Sequence, residues 1–188
     1  AQTQEEKFEF PLSIDVLENG KISRKEVWVT AKAKNDFVFD VTKNPELINA
    51  NPEGLLLSDI KQDKTPEQLF LQYTTAKDLY SKYTAIEEAK DQVSKNPFAD
   101  KLYAAALKDK FYRNRLLALE GLPEDPKSFL ADVEKLAQND EKSLVKGAAI
   151  GVLAKTKNPK YLPLFEKGIN AVSNSVKGNS LSGIAQVA

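Results

Sequence analysis

The stretch "NPEGLLLSDIKQDKTPEQLF", residues 51–70, marks the point at which the sequence changes from a β pattern to a helical pattern. Its first half combines turn-forming residues with a short apolar run that is typical of a strand. Its second half is typical of a helix start, because Thr65 can cap the helix and Pro66 suits the first helical position. We therefore expect a β domain over residues 1–64 and a helical domain over residues 65–188.

A β-hairpin is predicted near the beginning of the chain. The segment "KFEFPLSIDV" (7–16) alternates apolar and polar residues, as a strand with one buried face does. The pair Asn-Gly in "ENGK" (18–21) suits a tight hairpin turn. The returning segment "KEVWVTAKA" (25–33) places Trp28 on the face opposite its valines.

Two further strands are predicted before the helical part. They are "DFVFDV" (36–41) and "LLLSDI" (55–60), separated by a Pro- and Asn-rich segment over 42–54 that predicts a loop. Four short strands separated by turns indicate a small antiparallel β-sandwich over residues 1–64.

The helical part contains an internal repeat of 31 to 33 residues. Four segments align without gaps: "YSKYTAIEEA" (80–89), "RNRLLALEGL" (113–122), "LVKGAAIGVL" (144–153) and "SVKGNSLSGI" (175–184). A repeat of this length has room for two helices and a turn, which predicts stacked helical hairpins. The fold class expected for the whole chain is α+β in two domains.

The aligned segments share basic, small and apolar positions. We expect the small and apolar positions to form one buried stripe: Ala85, Ala118, Ala149 and Ser180, followed by Ile86, Leu119, Ile150 and Leu181. The basic position is occupied by Lys82, Arg115, Lys146 and Lys177. Two roles are open for it: a basic stripe that meets an acidic partner or a peptide carboxylate, or a cap or salt-bridge position that the repeat requires.

Composition excludes several classes of function. The 27 basic and 27 acidic residues cancel, so no net charge attracts the chain to nucleic acid or to an anionic membrane. The sequence has no histidine and no cysteine, which excludes a Ser-His-Asp triad, an HExxH zinc helix and a cysteine nucleophile. No apolar run is long enough to span a bilayer. A soluble protein is expected, and the cytoplasm and the periplasm both stay open.

Short matches to catalytic motifs lack their partners. "YTTAK" (73–77) has the Tyr-x-x-x-Lys spacing of short-chain dehydrogenases without a Gly-rich turn, and the Ser-x-x-Lys spacings at 58–61 and 143–146 are best explained by chance. We therefore assign no catalytic, cofactor-binding or metal-ligating residue to this chain. The absence of methionine leads us to expect a processed product or an excised fragment.

The repeat resembles the HEAT pattern. "VKGAAIGVL" (145–153) has a basic residue, a small residue and a leucine at the spacing of that pattern, and Asp109 and Asp140 fit its acidic position. The resemblance implies that the helical hairpins form a HEAT-like α-α superhelix. The apolar segment "SGIAQVA" at 182–188 suggests further native sequence beyond it, since a solenoid normally closes with a polar cap.

The order of segments resembles the region downstream of the catalytic domain in M1-family zinc aminopeptidases. The resemblance is carried by "FEFPLSIDV", by a strand that contains Trp, and by "NPEGLLLSDIKQDKTPEQLFLQYTTAKDLYSKYTAIEEA". It implies a β-sandwich and a HEAT-like domain that encloses or supports the catalytic chamber, with zinc, its ligands and the catalytic groups in an upstream domain.

The same resemblance implies two contacts, one with the upstream catalytic domain of the same polypeptide and one with the peptide substrate. Candidate contact residues on the helical surface are Tyr112, Arg113, Arg115, Lys146 and Lys177. The alternative is a free-standing HEAT-like adaptor that binds protein partners along its repeats.

Overall fold

The computed structural model describes residues 1–41, 44–58 and 60–187. Within these residues the protein is α+β, with a three-stranded antiparallel sheet and eight α-helices. The chain divides into two compact units, Ala1–Lys82 and Tyr83–Ala188. The boundary expected between residues 64 and 65 lies inside the first of these units, so helix α1 belongs to the same unit as the sheet.

The sheet consists of β1 (Phe10–Glu18), β2 (Lys21–Val29) and β3 (Leu47–Ala50), in the order β2-β1-β3. The predicted hairpin is confirmed, because β1 and β2 pair antiparallel from Phe10 opposite Val29 to Glu18 opposite Lys21. The two turn residues, Asn19 and Gly20, have φ values of 51° and 71°. Both residues thus have a left-handed backbone conformation, which Asn and Gly adopt more readily than other residues, and this explains the Asn-Gly pair in this turn.

The two other predicted strands are wrong. Residues 36–41 form no strand, and neither do residues 55–58 or Ile60, while Asp59 lies outside the described residues. In the second of these segments, Leu55 is 76% exposed and Leu57 is 109% exposed. The apolar run was compatible with a strand, but a strand also needs a neighbour to pair with, and local composition does not supply that information.

The third strand lies where a loop was predicted. β3 falls within the segment 42–54, of which Thr42 and Lys43 are outside the described residues, and it pairs with β1 from Ile14 to Leu17. Leu47 and Asn49 are buried on one face. The described residues thus form one three-stranded sheet instead of the two facing sheets of a sandwich.

The helices follow one another with short connections. Their bounds are α1 Pro66–Thr75, α2 Leu79–Ala89, α3 Pro97–Ala106, α4 Tyr112–Glu120, α5 Leu130–Asn139, α6 Ser143–Lys155, α7 Leu162–Gly168 and α8 Asn174–Val187. Short 3-10 turns lie at Lys90–Gln92, Lys127–Phe129 and Pro159–Tyr161. None of the helices in the described part of the chain combines the length and the apolarity needed to cross a membrane.

The predicted start of α1 is confirmed. The Thr65 hydroxyl accepts a hydrogen bond from the backbone N–H of Gln68 at 3.2 Å. In return the Gln68 side-chain oxygen accepts one from the Thr65 N–H at 3.0 Å. This reciprocal capping box satisfies two amides at the helix start, and Pro66 occupies the first turn.

The predicted repeat also matches the helices. Each aligned segment begins at the second residue of α2, α4, α6 or α8. In the second unit, α6 contacts both α4 and α8, and α3, α5 and α7 each contact the helix that follows them. The small position of the repeat is fully buried in all four helices, at Ala85, Ala118, Ala149 and Ser180.

One member of the predicted buried stripe is exposed. Leu181 of α8 is 57% exposed, whereas Leu119 and Ile150 at the equivalent positions are buried. Ile150 lies on α6, which packs between α4 and α8. Leu181 has the same place in the repeat, but no element of the described chain covers it.

Close approach of α6 and α8 depends on glycine. A Cβ atom added to Gly147 would lie 2.1 Å from the Ser175 hydroxyl oxygen, and one added to Gly151 would lie 2.7 Å from the Asn179 side-chain oxygen. These glycines are four residues apart and so lie on one face of α6. Their lack of side chains lets the two helix backbones come together there.

Candidate functional site

The basic positions of the repeat all lie in the first turn of a helix. Lys82, Arg115, Lys146 and Lys177 are each the fourth residue of α2, α4, α6 and α8, respectively. A cation in the first turn is opposed by the positive end of the helix dipole, so it is stabilised only where anions or carbonyl groups are near. The environments of the three basic residues of the second unit differ accordingly.

Arg115 is part of the structural framework. Its side chain is 10% exposed and forms a bidentate ion pair with Asp140, with N–O distances of 2.7 and 2.9 Å. The remaining guanidinium nitrogen donates to the backbone carbonyls of Asp109 and Lys110 at 2.8 and 3.1 Å. Arg115 therefore has the salt-bridge role, the second of the two roles expected for the basic position.

The ion pair changes the acidity of both partners. Hydrogen bonding to Asp140 raises the pKa of Arg115. Burial by itself would raise the pKa of Asp140, but hydrogen bonds from Arg115 and from the backbone N–H of Lys142 outweigh burial and hold that pKa below its ordinary value. Both groups are charged at neutral pH, and each satisfies the other.

Tyr112 and Arg113 lie at the beginning of α4. The ring of Tyr112 has the Arg113 guanidinium 5.7 Å and the Lys142 amino group 6.0 Å from its centroid, and it meets Phe111 edge to face. Arg113 is exposed and Tyr112 is half-buried. These two predicted contact residues thus lie together, next to the N-terminus of α6.

Lys146 and Lys177 are half-buried and lie on neighbouring helices. Within the described residues neither has an ion-pair partner at 4 Å or less. Only Lys146 borders a cleft. Of the five predicted contact residues, Lys146 is therefore the one that the structure places in a concave site.

This cleft lies between α5 and α7 and has a volume of about 860 Å³. Its buried surface includes Ala137 of α5, Ile150 of α6 and Val176 of α8. Polar side chains also line it: Glu134, Gln138, Asn139, Lys146, Lys160, Tyr161, Lys167 and Asn170. The cleft thus combines an apolar floor with a polar, mainly cationic rim.

A compact network closes one side of the cleft. The Tyr161 hydroxyl donates to the Glu134 carboxylate at 2.6 Å, and the Lys160 amino group donates to the same oxygen at 2.9 Å. Lys160 also lies 4.7 Å from the centroid of the Tyr161 ring. The hydrogen bond from Tyr161, and after it that from Lys160, lowers the pKa of Glu134. Burial raises the pKa of Tyr161, and its bond to Glu134 adds to this effect.

Sequence reasoning missed Lys160, Lys167 and their neighbours Glu134 and Tyr161. One local signal was available, because Lys160 and Lys167 are seven residues apart, a spacing typical of one face of a helix, although Lys160 belongs to the 3-10 turn that precedes α7. The pairing of Lys160 with Glu134 spans 26 residues and has no local signal.

A tight turn at Asn51–Gly54 organises the first unit. Asn51 and Gly54 have φ values of 51° and 68°, and the Gly54 N–H donates to the Asn51 carbonyl at 3.0 Å. The hydroxyl of Ser81, on α2, donates to the Pro52 carbonyl at 2.7 Å and accepts from the Asn49 amide at 3.0 Å. The turn therefore joins the end of β3 to the first turn of α2.

A charged cluster lies beside this turn. Arg24 of β2 holds Asp15 of β1 through two nitrogens, at 2.7 and 3.0 Å, and Glu53 of the turn at 2.6 Å. These hydrogen bonds, that to Asp15 first, raise the pKa of Arg24. The single cation of Arg24 thus binds two carboxylates, one on the neighbouring strand and one in the turn.

No set of metal ligands is present in the described part of the chain, where no three His, Cys, Asp or Glu side chains are grouped so that they could hold a metal ion.

The chain matches no family model, and no curated protein is significantly similar to it. The resemblance to M1-family aminopeptidases therefore depends on the segments quoted above.

Proposed function

We propose that this chain is the non-catalytic C-terminal region of an M1-family zinc aminopeptidase, where it encloses or supports the chamber in which N-terminal residues are removed from peptides. In this proposal the three-stranded sheet is one layer of a β-sandwich, and the helices that follow belong to a HEAT-like superhelix. Zinc and its ligands are assigned to an upstream catalytic domain, because this chain has no histidine or cysteine.

The observation that carries the proposal is the Asn51–Gly54 turn. The segment "NPEG" is the centre of the resemblance, and its residues have a specific structural task at the junction of sheet and helices. Two observations explain why residue 54 is a glycine: its φ is positive, and an added Cβ would lie 2.6 Å from the Tyr80 ring. The short segment "NPEG" thus lies where backbone conformation and packing restrict which residues fit. A protein family tends to retain its residues at such positions.

Trp28 supports a contact with another domain. It is 57% exposed, and it lies on the sheet face opposite the buried Val29. Its exposed indole offers apolar surface, with a polar N–H, on which another domain could pack. We assign the exposed part of this face, around Trp28, to the contact with the upstream catalytic domain.

The test is the size and activity of the native polypeptide. An antibody raised against this chain should recover from the source cells a polypeptide several times larger than 20.9 kDa. Aminopeptidase activity should accompany it, disappear with a zinc chelator and return with zinc. The isolated chain should hydrolyse no peptide. A native product near 20.9 kDa, or activity in the isolated chain, would contradict the proposal.

The second candidate is a free-standing adaptor. The observation that favours it is the cleft between α5 and α7, which has the dimensions of a ligand site and belongs entirely to this chain. A native 20.9 kDa product that forms a stoichiometric complex with one partner, and a complex weakened by substitutions in the cleft, would support the adaptor.

A further inference from the structure

We infer that the cleft between α5 and α7 binds an acidic, extended polypeptide segment, with Lys146 and Lys167 as the residues that contact its carboxylates. This inference does not depend on the aminopeptidase proposal, because every residue that it uses lies in this chain and within one compact unit.

The first argument is the shape of the cleft. About 860 Å³ is near the upper end of the range for ligand pockets and is more than a small inorganic anion needs. Elements from four helices contribute to it, so its walls are held by the packing of α5 on α6 and of α7 on α8. The site is therefore formed before any ligand binds.

The second argument is the charge that is left over. Glu134 is already satisfied by Lys160 and Tyr161. Asp140, which interacts electrostatically with Lys146, is held by two of the three guanidinium nitrogens of Arg115. No carboxylate of the described residues lies within ion-pair distance of Lys146 or Lys167. Two cations thus border the cleft without a matching anion.

The third argument is the chemistry of the floor and ends. Ile150 and Val176 offer apolar contact, and the side-chain amides of Asn139 and Asn170 can donate to and accept from a peptide backbone. Alternating acidic and apolar side chains on an extended segment would match the two lysines and the apolar floor.

Nucleic acid fits the same cleft less well. None of the described residues that line it is an arginine, so planar bidentate contacts to phosphate are missing. Its one aromatic residue, Tyr161, is buried and its hydroxyl is engaged by Glu134, so it offers no exposed ring on which bases could stack. Binding of a polypeptide is the interaction that these residues favour.

The test is fluorescence anisotropy with a labelled peptide of alternating glutamate and leucine, titrated with the whole chain at low salt. The comparison peptide replaces every glutamate by glutamine. We expect binding of the acidic peptide, weaker binding as salt is added, and little binding of the glutamine peptide.

The variant Lys146→Gln/Lys167→Gln should raise the Kd of the acidic peptide about tenfold. The matched control is Lys135→Gln/Lys155→Gln, which removes the same charge from exposed positions of α5 and α6 outside the cleft and should leave the Kd nearly unchanged. Circular dichroism and the thermal midpoint should show that both variants stay folded.

Three results would overturn the inference. They are the absence of binding at low salt, equal weakening in the cleft variant and in the control variant, and tighter binding of a single-stranded oligonucleotide that is lost in the cleft variant. None of these results bears on the size or zinc dependence of the native polypeptide, so the two proposals fail separately.

Discussion

Arg115 and Asp140 form a buried, bidentate ion pair across 25 residues of sequence. Arg115 lies in the first turn of α4, and Asp140 precedes α6. The same guanidinium also binds the carbonyl groups of Asp109 and Lys110, which precede α4. One side chain therefore bridges the α3–α4 and α5–α6 connections and fixes the position of α4 relative to α6.

Loss of Arg115 should destabilise the protein strongly. Arg115→Gln leaves the buried Asp140 carboxylate without its partner, and removing one member of a buried ion pair costs about 3–5 kcal/mol of unfolding free energy. Urea unfolding followed by circular dichroism measures the effect. The control is Arg113→Gln, on the exposed side of the same helix, with an expected change within about 0.5 kcal/mol. Equal effects of the two substitutions would show that the ion pair contributes no specific stability.

Asp140 should make stability depend on acidic pH. In the folded protein the pKa of Asp140 is held below 3.8, its ordinary value in an unfolded chain. The contribution of Asp140 to the unfolding free energy is therefore fully present at pH values above 3.8. The contribution is lost as the pH falls through the lowered pKa of the folded state. In urea unfolding at a series of pH values, Asp140→Asn should flatten this acid limb, whereas Asp125→Asn at an exposed position should not. An unchanged slope in Asp140→Asn would contradict the assignment.

The Gly54 position should not accept a side chain. In Gly54→Ala the residue keeps a positive φ and its Cβ meets the ring of Tyr80 at 2.6 Å. Gly20 is the matched control, because its φ of 71° imposes the same conformational cost but nothing lies within 4 Å of an added Cβ. We expect Gly54→Ala to lower the unfolding free energy by about 1–3 kcal/mol more than Gly20→Ala does. Similar losses would mean that Tyr80 moves away freely.

The α6–α8 contact should be sensitive to one methyl group. Gly147→Ala places a Cβ 2.1 Å from the Ser175 hydroxyl and 3.0 Å from a backbone atom of the same residue, so the Ser175 side chain or the helix that carries it must shift. Thermal unfolding should show a loss of about 1–3 kcal/mol. Gly178→Ala on α8 has open space around the new Cβ and should stabilise the protein by up to about 1 kcal/mol. A stabilising Gly147→Ala would refute the close packing of these helices.

Tyr161 should control the acidity of Glu134. Its hydroxyl is the main cause of the lowered pKa of that carboxylate, so Tyr161→Phe should move the Glu134 pKa back toward its ordinary value of 4.5. An NMR titration of the Glu134 side-chain carboxyl carbon measures this shift. Lys160→Gln should also raise the Glu134 pKa, because Lys160 lowers it through a hydrogen bond and through its charge. No shift in Tyr161→Phe would exclude the short bond between the two side chains.

The cleft illustrates the limit of reasoning from the sequence. Lys146 was identified from the repeat. Arg115 and Lys177 occupy the same repeat position, yet the three residues have different environments in the structure. Arg115 is neutralised by an aspartate, Lys146 borders the cleft, and Lys177 does not. The partner of a charged side chain lies far away in sequence, so equal positions in a repeat do not imply equal roles.

The sequence by itself determined the local features: the Asn19–Gly20 hairpin, the capped start of α1 and the spacing of α2, α4, α6 and α8. Each depends on residues a few positions apart, through φ preferences, caps and helical periodicity. The tertiary structure alone decided that Leu47–Ala50 pairs with β1 and that Glu134 is satisfied by Lys160. Pairing of a strand and neutralisation of a charge require a partner brought close by the rest of the fold, and no local pattern encodes that distance.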